Sequence, residues 1–187
     1  MNFMDVIARR RTVRAYTGEP VPRELIDTLL QTAVMAPTGM NLQPWAFGVI
    51  EGVDRLKSYS DKSKAYLLEH IDQFPGFERY RDLMADPTIN LCHNAPVCVV
   101  VYAKPNGATS DNDCTMAAHN IMLAAVDNGL ATCWVGFLSF ILNQPDVKRE
   151  LGVPEDYRVV APIVVGYPHG DIPPVPKNPP EIVYWMK

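Results

Sequence analysis

Ala36-Pro37-Thr38-Gly39-Met40-Asn41-Leu42-Gln43-Pro44-Trp45 is the stretch on which the reading of this chain turns. A helical pattern, Leu29-Leu30-Gln31-Thr32-Ala33-Val34-Met35, runs into it, and an apolar run, Ala46-Phe47-Gly48-Val49-Ile50, leaves it. Two prolines and a glycine between such runs are turn chemistry. Proline fixes φ and offers no amide, while glycine lets backbone approach a ligand closely. Thr38, Asn41 and Gln43 are left with side chains that must hydrogen-bond something polar. The segment therefore admits two readings: an ordinary helix-to-strand connection, or a stiff loop shaped to contact a ligand.

Working outward toward the N-terminus, a second helix is expected from near Pro22, with Glu24 in its first turn and Leu25, Leu29 and Ala33 on one face. Before it stands Arg9-Arg10-Arg11-Thr12-Val13-Arg14, four cations in six positions with no acid. A first helix from Asn2 to about Arg9, capped by Asn2, would place these cations at a helix C-terminus, where they suit the dipole. Arginines beside a hydroxyl also suit a phosphate, so an anion site is the other reading.

Toward the C-terminus, residues 54–86 are polar and dotted with aromatics, and helices are expected around Lys62–Asp72 and Glu78–Met84 on either side of Phe74-Pro75-Gly76-Phe77. Those aromatics are either a packing face or a lid over a ligand. Pro96–Ala103 reads as a buried strand. Ser110-Asp111-Asn112-Asp113 opens a helix that is apolar nearly all round from Cys114 to Asp127 and ends at Asn128-Gly129, with His119 and Asn120 as satisfied core polar groups. Leu130–Gly136 is a short strand, Asn143–Leu151 a short helix, and Arg158–Val165 a further buried strand. The proline-rich segment from Pro168 to Pro180 must be extended, and the apolar Ile182-Val183-Tyr184-Trp185 beyond it is expected to dock on this core or on a partner's.

At 187 residues with 48% hydrophobic and 20% charged residues, the chain is expected to be one globular domain, 1–187, with 168–187 as its tail. A net charge of −4 gives no global pull toward nucleic acid or an anionic membrane, and no apolar run is long enough to span a bilayer. The N-terminus lacks the charge order of a signal peptide, so a cytoplasmic protein is expected. Cys92, Cys98, Cys114 and Cys133 show no Cys-x-x-Cys spacing and read as buried thiols, and no metal site is expected at His93 or elsewhere.

Taken in order, several of these segments resemble the FMN-dependent nitroreductase family: Arg9-Arg10-Arg11-Thr12-Val13-Arg14-Ala15-Tyr16, Pro20-Val21-Pro22, the Ala36–Phe47 stretch, Gly129-Leu130-Ala131-Thr132-Cys133-Trp134-Val135-Gly136 and Val164-Val165-Gly166-Tyr167-Pro168. The ordered set spans nearly the whole chain. The resemblance implies an α+β fold, a three-layer sandwich with a mixed β-sheet flanked by helices, forming an intertwined homodimer with the Cys114–Asp127 helix at its centre and the tail reaching the partner. It implies an FMN site at the dimer interface. Arg10, Arg11 and Thr12 would take the phosphate and ribityl chain, and Arg14 the pyrimidine edge, where reduced flavin carries negative charge. The loop residues Pro37, Thr38, Gly39 and Asn41 would contact the flavin held mainly by the other subunit. Trp134, Val135 and Gly136 would set backbone amides near N5 and O4, and Lys177 would close on the phosphate. Two departures stand out. Threonine occupies positions 12 and 38, where relatives often carry serine, and Asn178 follows Lys177 where a second tail cation is common.

The activity implied is a ping-pong transfer of hydride from NADH or NADPH, through FMN, to a nitroaromatic, quinone or similar electron-poor small molecule. The chemistry would sit on flavin N5, with no protein nucleophile. Two alternatives accompany it: a specialised FMN enzyme of the same fold (reductive dehalogenation, flavin breakdown or azoline oxidation), and a low-turnover flavin-binding protein.

Overall fold

Residues 97–103 alternate between two hydrophobic cores, and the architecture follows from that alternation. The computed structural model describes residues 1–187. In it, strand β2 (Val97–Ala103) is buried along its whole length. Val97, Val99, Val101 and Ala103 face one core, and Cys98, Val100 and Tyr102 face the other. Period-two side-chain placement with both faces apolar is the mark of a sheet covered on both sides.

The sheet has strand order β1-β2-β4-β3, where β1 is Trp45–Glu51, β3 Ala131–Trp134 and β4 Arg158–Gly166. All three strand pairings are antiparallel. The expected mixed character comes down to one parallel bridge, Thr12 to Thr132, at the β3 edge. Between Val101 and Tyr102 the register with β4 slips, so Val101 opposes Ala161 while Tyr102 opposes Val159. The extra residue, Val160, packs with Ala161 on the same core, as a bulge requires.

One face is covered by α2 (Arg23–Ala33) and α5 (Ser110–Asp127), which pack on each other and bury Leu29, Ala33, Ala117, Ile121 and Ala125 in one core. The other face carries α3 (Val53–His70), α4 (Arg81–Ala85) and α6 (Leu138–Leu142). The short helices α1 (Phe3–Arg9) and α7 (Pro145–Leu151) flank these layers. Asn2 caps α1 through Asp5 N–H, and Gly152 ends α7 in the left-handed conformation at φ 70°. The three-layer expectation holds.

Four details differ from the sequence reading. Helix α3 begins at Val53 rather than near Lys62, because its buried face is built from Leu56, Tyr59, Ser60, Ser63, Lys64 and Leu67, and half of that face looks polar in sequence. Helix α6 occupies a segment too short to show a period. His119 is not a core group: it lies exposed on the face of α5 turned away from the sheet, although Asn120 does donate to Thr32 O at 3.2 Å. Ser110 donates to Gly107 O rather than capping α5, whose N-cap, Thr109, makes no capping bond. In the single chain the tail beyond Gly170 forms no helix or strand, and Ile182–Met186 is exposed. No helix is long and apolar enough to cross a membrane.

Candidate functional site

After α1 the chain turns extended and runs along the β3 edge. Val13 N–H donates to Thr132 O at 3.0 Å, Thr17 N–H to Tyr167 O at 3.0 Å, and His169 N–H to Ala15 O at 3.0 Å. Alternation then follows: Val13 and Tyr16 are buried, while Thr12 and Arg14 face outward. Tyr16 donates its hydroxyl to Val13 O at 2.9 Å, and burial pushes its phenol pKa far up, so it stays protonated.

The cations of this segment divide. Arg11 folds back and donates to the carbonyls of Ala8 and Arg10, serving the C-terminal end of α1. The side chains of Arg10 and Arg14 make no hydrogen bond or ion pair within the chain. Two buried side-chain polar atoms lack any partner, Arg11 Nε and Thr132 Oγ1. They belong to neighbouring segments, since Thr132 bridges Thr12. Buried polar atoms are nearly always satisfied, so these two are exceptions, and the side chains of Arg10 and Arg14 are the cations of the segment left free for an anionic ligand.

Next to this segment lies a cleft of about 1010 Å³. Arg14, Ala15 and Tyr16 form one side and Cys133–Phe137 another, with residues 88–91, His93, Asn94 and the aromatics Phe77, Tyr80 and Phe140 completing it. The aromatics are not loosely placed. Phe77 meets Phe137 and Phe140 edge-on at 6.1 and 5.5 Å between centroids, and Tyr80 meets Phe137 at 5.2 Å. The 54–86 aromatics are thus a packing face, of which Phe77 and Tyr80 also border the cleft.

Of the Trp134-Val135-Gly136 turn, Val135 N–H is already committed to Pro162 O at 2.8 Å. Gly136 N–H has no acceptor within the chain, and a Cβ at Gly136 would meet nothing within 4 Å. The free donor of the turn is therefore Gly136. Cys133 also borders the cleft, but burial raises its thiol pKa, which Arg14 only partly offsets, so the thiol form is favoured. His93 sits half-buried in the cleft wall, in the left-handed region at φ 55°, with Asn94 beside it at φ 59°. Burial lowers its pKa, and the charge of Arg14 lowers it further, so its imidazole is neutral near pH 7. Nothing in the spacing of His93 marks it as a cleft residue.

The fold brings Arg14, Trp134, Val135 and Gly136 together in the cleft, with Arg10, Arg11 and Thr12 on the adjoining segment. It does not bring Pro37, Thr38, Gly39 or Asn41 there. Those residues lie against the start of α5, where Gly39 N–H donates to Asp113 at 3.2 Å. Lys177 stands on the exposed tail without a partner. One chain thus presents two separate sets of the expected residues. All four cysteines are buried free thiols, and no group of three or more His, Cys, Asp or Glu residues is disposed to hold a metal.

Comparison with known proteins now bears on this arrangement. A crystal structure of a nitroreductase with bound FMN from Bacteroides fragilis superposes with a TM-score of 0.86 at 25% identity, covering 100% of both chains. The chloronitrobenzene nitroreductase of Comamonas testosteroni is 28% identical, over 87% of this chain and 85% of its own. The iodotyrosine deiodinase of Thermotoga neapolitana is 27% identical, over 93% and 92%. The sequence model described as the nitroreductase family matches residues 7–167, and with that match the chain belongs to the nitroreductase family.

Proposed function

We propose that this chain is an FMN-dependent oxidoreductase that takes reducing equivalents from NADH or NADPH and passes them to electron-poor aromatic or quinone-like acceptors. The observation that carries the reading is the meeting in one cleft of Arg14, whose side chain is uncommitted within the chain, the free Gly136 N–H and an aromatic wall. FMN, when bound, would supply the hydride chemistry at N5; the protein's part is binding, orientation and charge.

In that role Arg10 and Thr12 would hold the phosphate and ribityl hydroxyls, with Lys177 of the tail closing on the phosphate, while Arg11 steadies the end of α1 from which they project. Arg14 would hold a permanent cation beside the ring, where it would favour negative charge. Gly136 N–H donates toward the ring's polar edge. Phe77, Tyr80, Phe137 and Phe140 make the wall against which a flat acceptor stacks and from which water is excluded. Pro37, Thr38, Gly39 and Asn41 are remote from this cleft, which supports a homodimer in which the loop of one subunit completes the site of the other. The working compartment is the cytoplasm.

A second reading keeps FMN and changes the acceptor. The aromatic cluster over the cleft, together with the deiodinase among the relatives, favours a reductive dehalogenation of halogenated aromatics. The test begins with the visible spectrum of the purified protein, then heat release and mass analysis of the chromophore. Flavin bands, one FMN per chain and bleaching by anaerobic NADH or NADPH are expected. Reoxidation of the bleached protein by a nitroaromatic or quinone, compared with a halophenol, separates the two acceptors. A colourless protein that fails to bind added FMN overturns both readings, and flavin binding without turnover leaves a flavin-binding protein.

A further inference from the structure

The loop that opens the sequence reading is held in an unusual backbone. Met40, Asn41 and Gln43 have φ of 51°, 55° and 47°, three non-glycine residues in the left-handed region within four positions. Each is uphill for an L-residue, and such a cluster persists only where the surroundings over-determine it. Side-chain packing does not supply the constraint, for Met40 is 94% exposed and Leu42 is exposed as well. The hydrogen bonds of residues 37–43 otherwise stay inside the loop: Asn41 N–H to Thr38 O, Leu42 N–H to Gly39 O, Gln43 N–H to Thr38 Oγ1 and Gln43 Nε2 to Asn41 Oδ1.

One tie leaves the loop. Gly39 N–H donates to both oxygens of Asp113, at 3.3 and 3.2 Å. Asp113 is 3% exposed, and its other protein donor is the Thr109 hydroxyl at 3.1 Å. A carboxylate so far out of water is costly unless it accepts strong hydrogen bonds. Its place in the first turn of α5 favours the charge, but that role alone requires neither burial nor aim at Gly39. The approach is also too close for a side chain: a Cβ on Gly39 would come within 2.6 Å of Thr109 Oγ1. That hydroxyl would have to rotate away and give up Asp113.

We propose that Asp113 is the positioning residue for the flavin-contacting loop, fixing the Thr38–Gln43 turn through Gly39 so that the loop is presented ready-formed to the partner subunit's site. The inference rests on the FMN reading above. Its cost is met in the free protein, so binding does not have to order the loop.

The experiment compares wild type, Asp113→Ala, Asp113→Asn, Gly39→Ala, Thr109→Ala and the Gly39→Ala/Thr109→Ala pair. Two readouts are taken on FMN-free protein: amide hydrogen exchange over residues 38–43, and FMN affinity by flavin fluorescence titration. Loss of a charge-assisted bond predicts exchange in the loop faster by about tenfold or more in Asp113→Ala, with an FMN Kd raised by about tenfold. Asp113→Asn, which keeps an acceptor for Gly39 N–H, recovers most of the affinity. Gly39→Ala weakens FMN, and adding Thr109→Ala to it restores binding toward that of Thr109→Ala alone. A merely structural role would lower the unfolding midpoint without this rescue. Unchanged exchange in Asp113→Ala, or faster exchange with an unchanged Kd, overturns the proposal; if that variant does not fold, absence of rescue in the Gly39/Thr109 pair does so. Wild type that binds no FMN overturns the flavin reading instead, while the exchange data still decide whether Asp113 holds the loop.

Discussion

Lys64→Met is expected to destabilise the protein by about 2 kcal/mol, although it removes a buried charge. Lys64 is 6% exposed on α3, and its ammonium donates to Asp86 O at 2.7 Å and Ile89 O at 2.8 Å, with Asp61 Oδ1 more distant at 3.9 Å. Two effects oppose each other. Methionine keeps most of the stem's packing and spares the desolvation of an ammonium, which favours the variant. The two carbonyls remain, however, and each unpaired buried acceptor costs roughly 1–3 kcal/mol. The loss at Ile89 O wins, because nothing else in the chain donates to it, whereas Asp86 O keeps a bond from Ile89 N–H at 3.3 Å. In a domain of this length that loss lowers the melting midpoint by about 4–8 °C. The assay is urea unfolding of FMN-free protein by circular dichroism at one fixed concentration, so that association contributes equally to both samples. Residues 88–91 line the cleft, so the acceptor KM should rise in parallel. A loss below about 0.5 kcal/mol would refute the reasoning and mean that water replaces the ammonium without penalty.

Three further outcomes are expected. His93 has a pKa depressed by burial and then by Arg14, so the unfolded chain binds its proton first as pH falls. Stability should therefore decline below about pH 6.5 in a way that His93→Gln removes, and Arg14→Met should move the His93 titration upward by NMR; an unmoved titration would show that burial acts alone. Gly166→Ala would bring a Cβ within 2.7 Å of Pro96 Cδ and 3.0 Å of Tyr16 Cδ1, against a ring that cannot swing away. It should cost about 1–3 kcal/mol in urea unfolding, and a neutral result would mean the β4 end relaxes freely. Deleting residues 170–187 removes the exposed Ile182, Val183, Tyr184 and Trp185, and should weaken self-association in sedimentation equilibrium; an unchanged dimer constant would show that the tail docks elsewhere.

Much of the fold is legible in the sequence where burial is carried by apolar side chains. Strands β2 and β4 and helix α5 announce themselves by Val-rich or Ala-rich runs with clear stops, and Asn2 and Gly152 mark helix ends through cap chemistry. The start of α3 is hidden because its inward face uses Ser60, Ser63 and Lys64. Each is satisfied by backbone far away in sequence: Ser60 Oγ accepts from Leu91 N–H, Ser63 donates to Phe137 O, and Lys64 donates to Asp86 O and Ile89 O. No hydropathy period reveals such pairings. The basic segment and the proline–glycine loop were readable as candidate binding elements, yet only geometry separates Arg11, turned back on α1, from Arg14, turned into the cleft. His119 was misjudged for a related reason: an all-round apolar helix does not say which face its own chain covers.

The bridges from Thr12 to Thr132 and from Tyr16 to Pro168 also set an order of assembly during synthesis. The arginine segment leaves the ribosome first, but its docking edge is made of residues more than a hundred positions later. At about 5–20 residues per second it waits roughly 8–30 s for Pro168 to be added. Throughout that interval the most cationic part of the chain is unpaired and the cleft beside it does not exist. A nascent chain stalled before β4 should consequently carry no cofactor, however much of the sheet it has made, and premature termination there should yield a product that flavin cannot rescue.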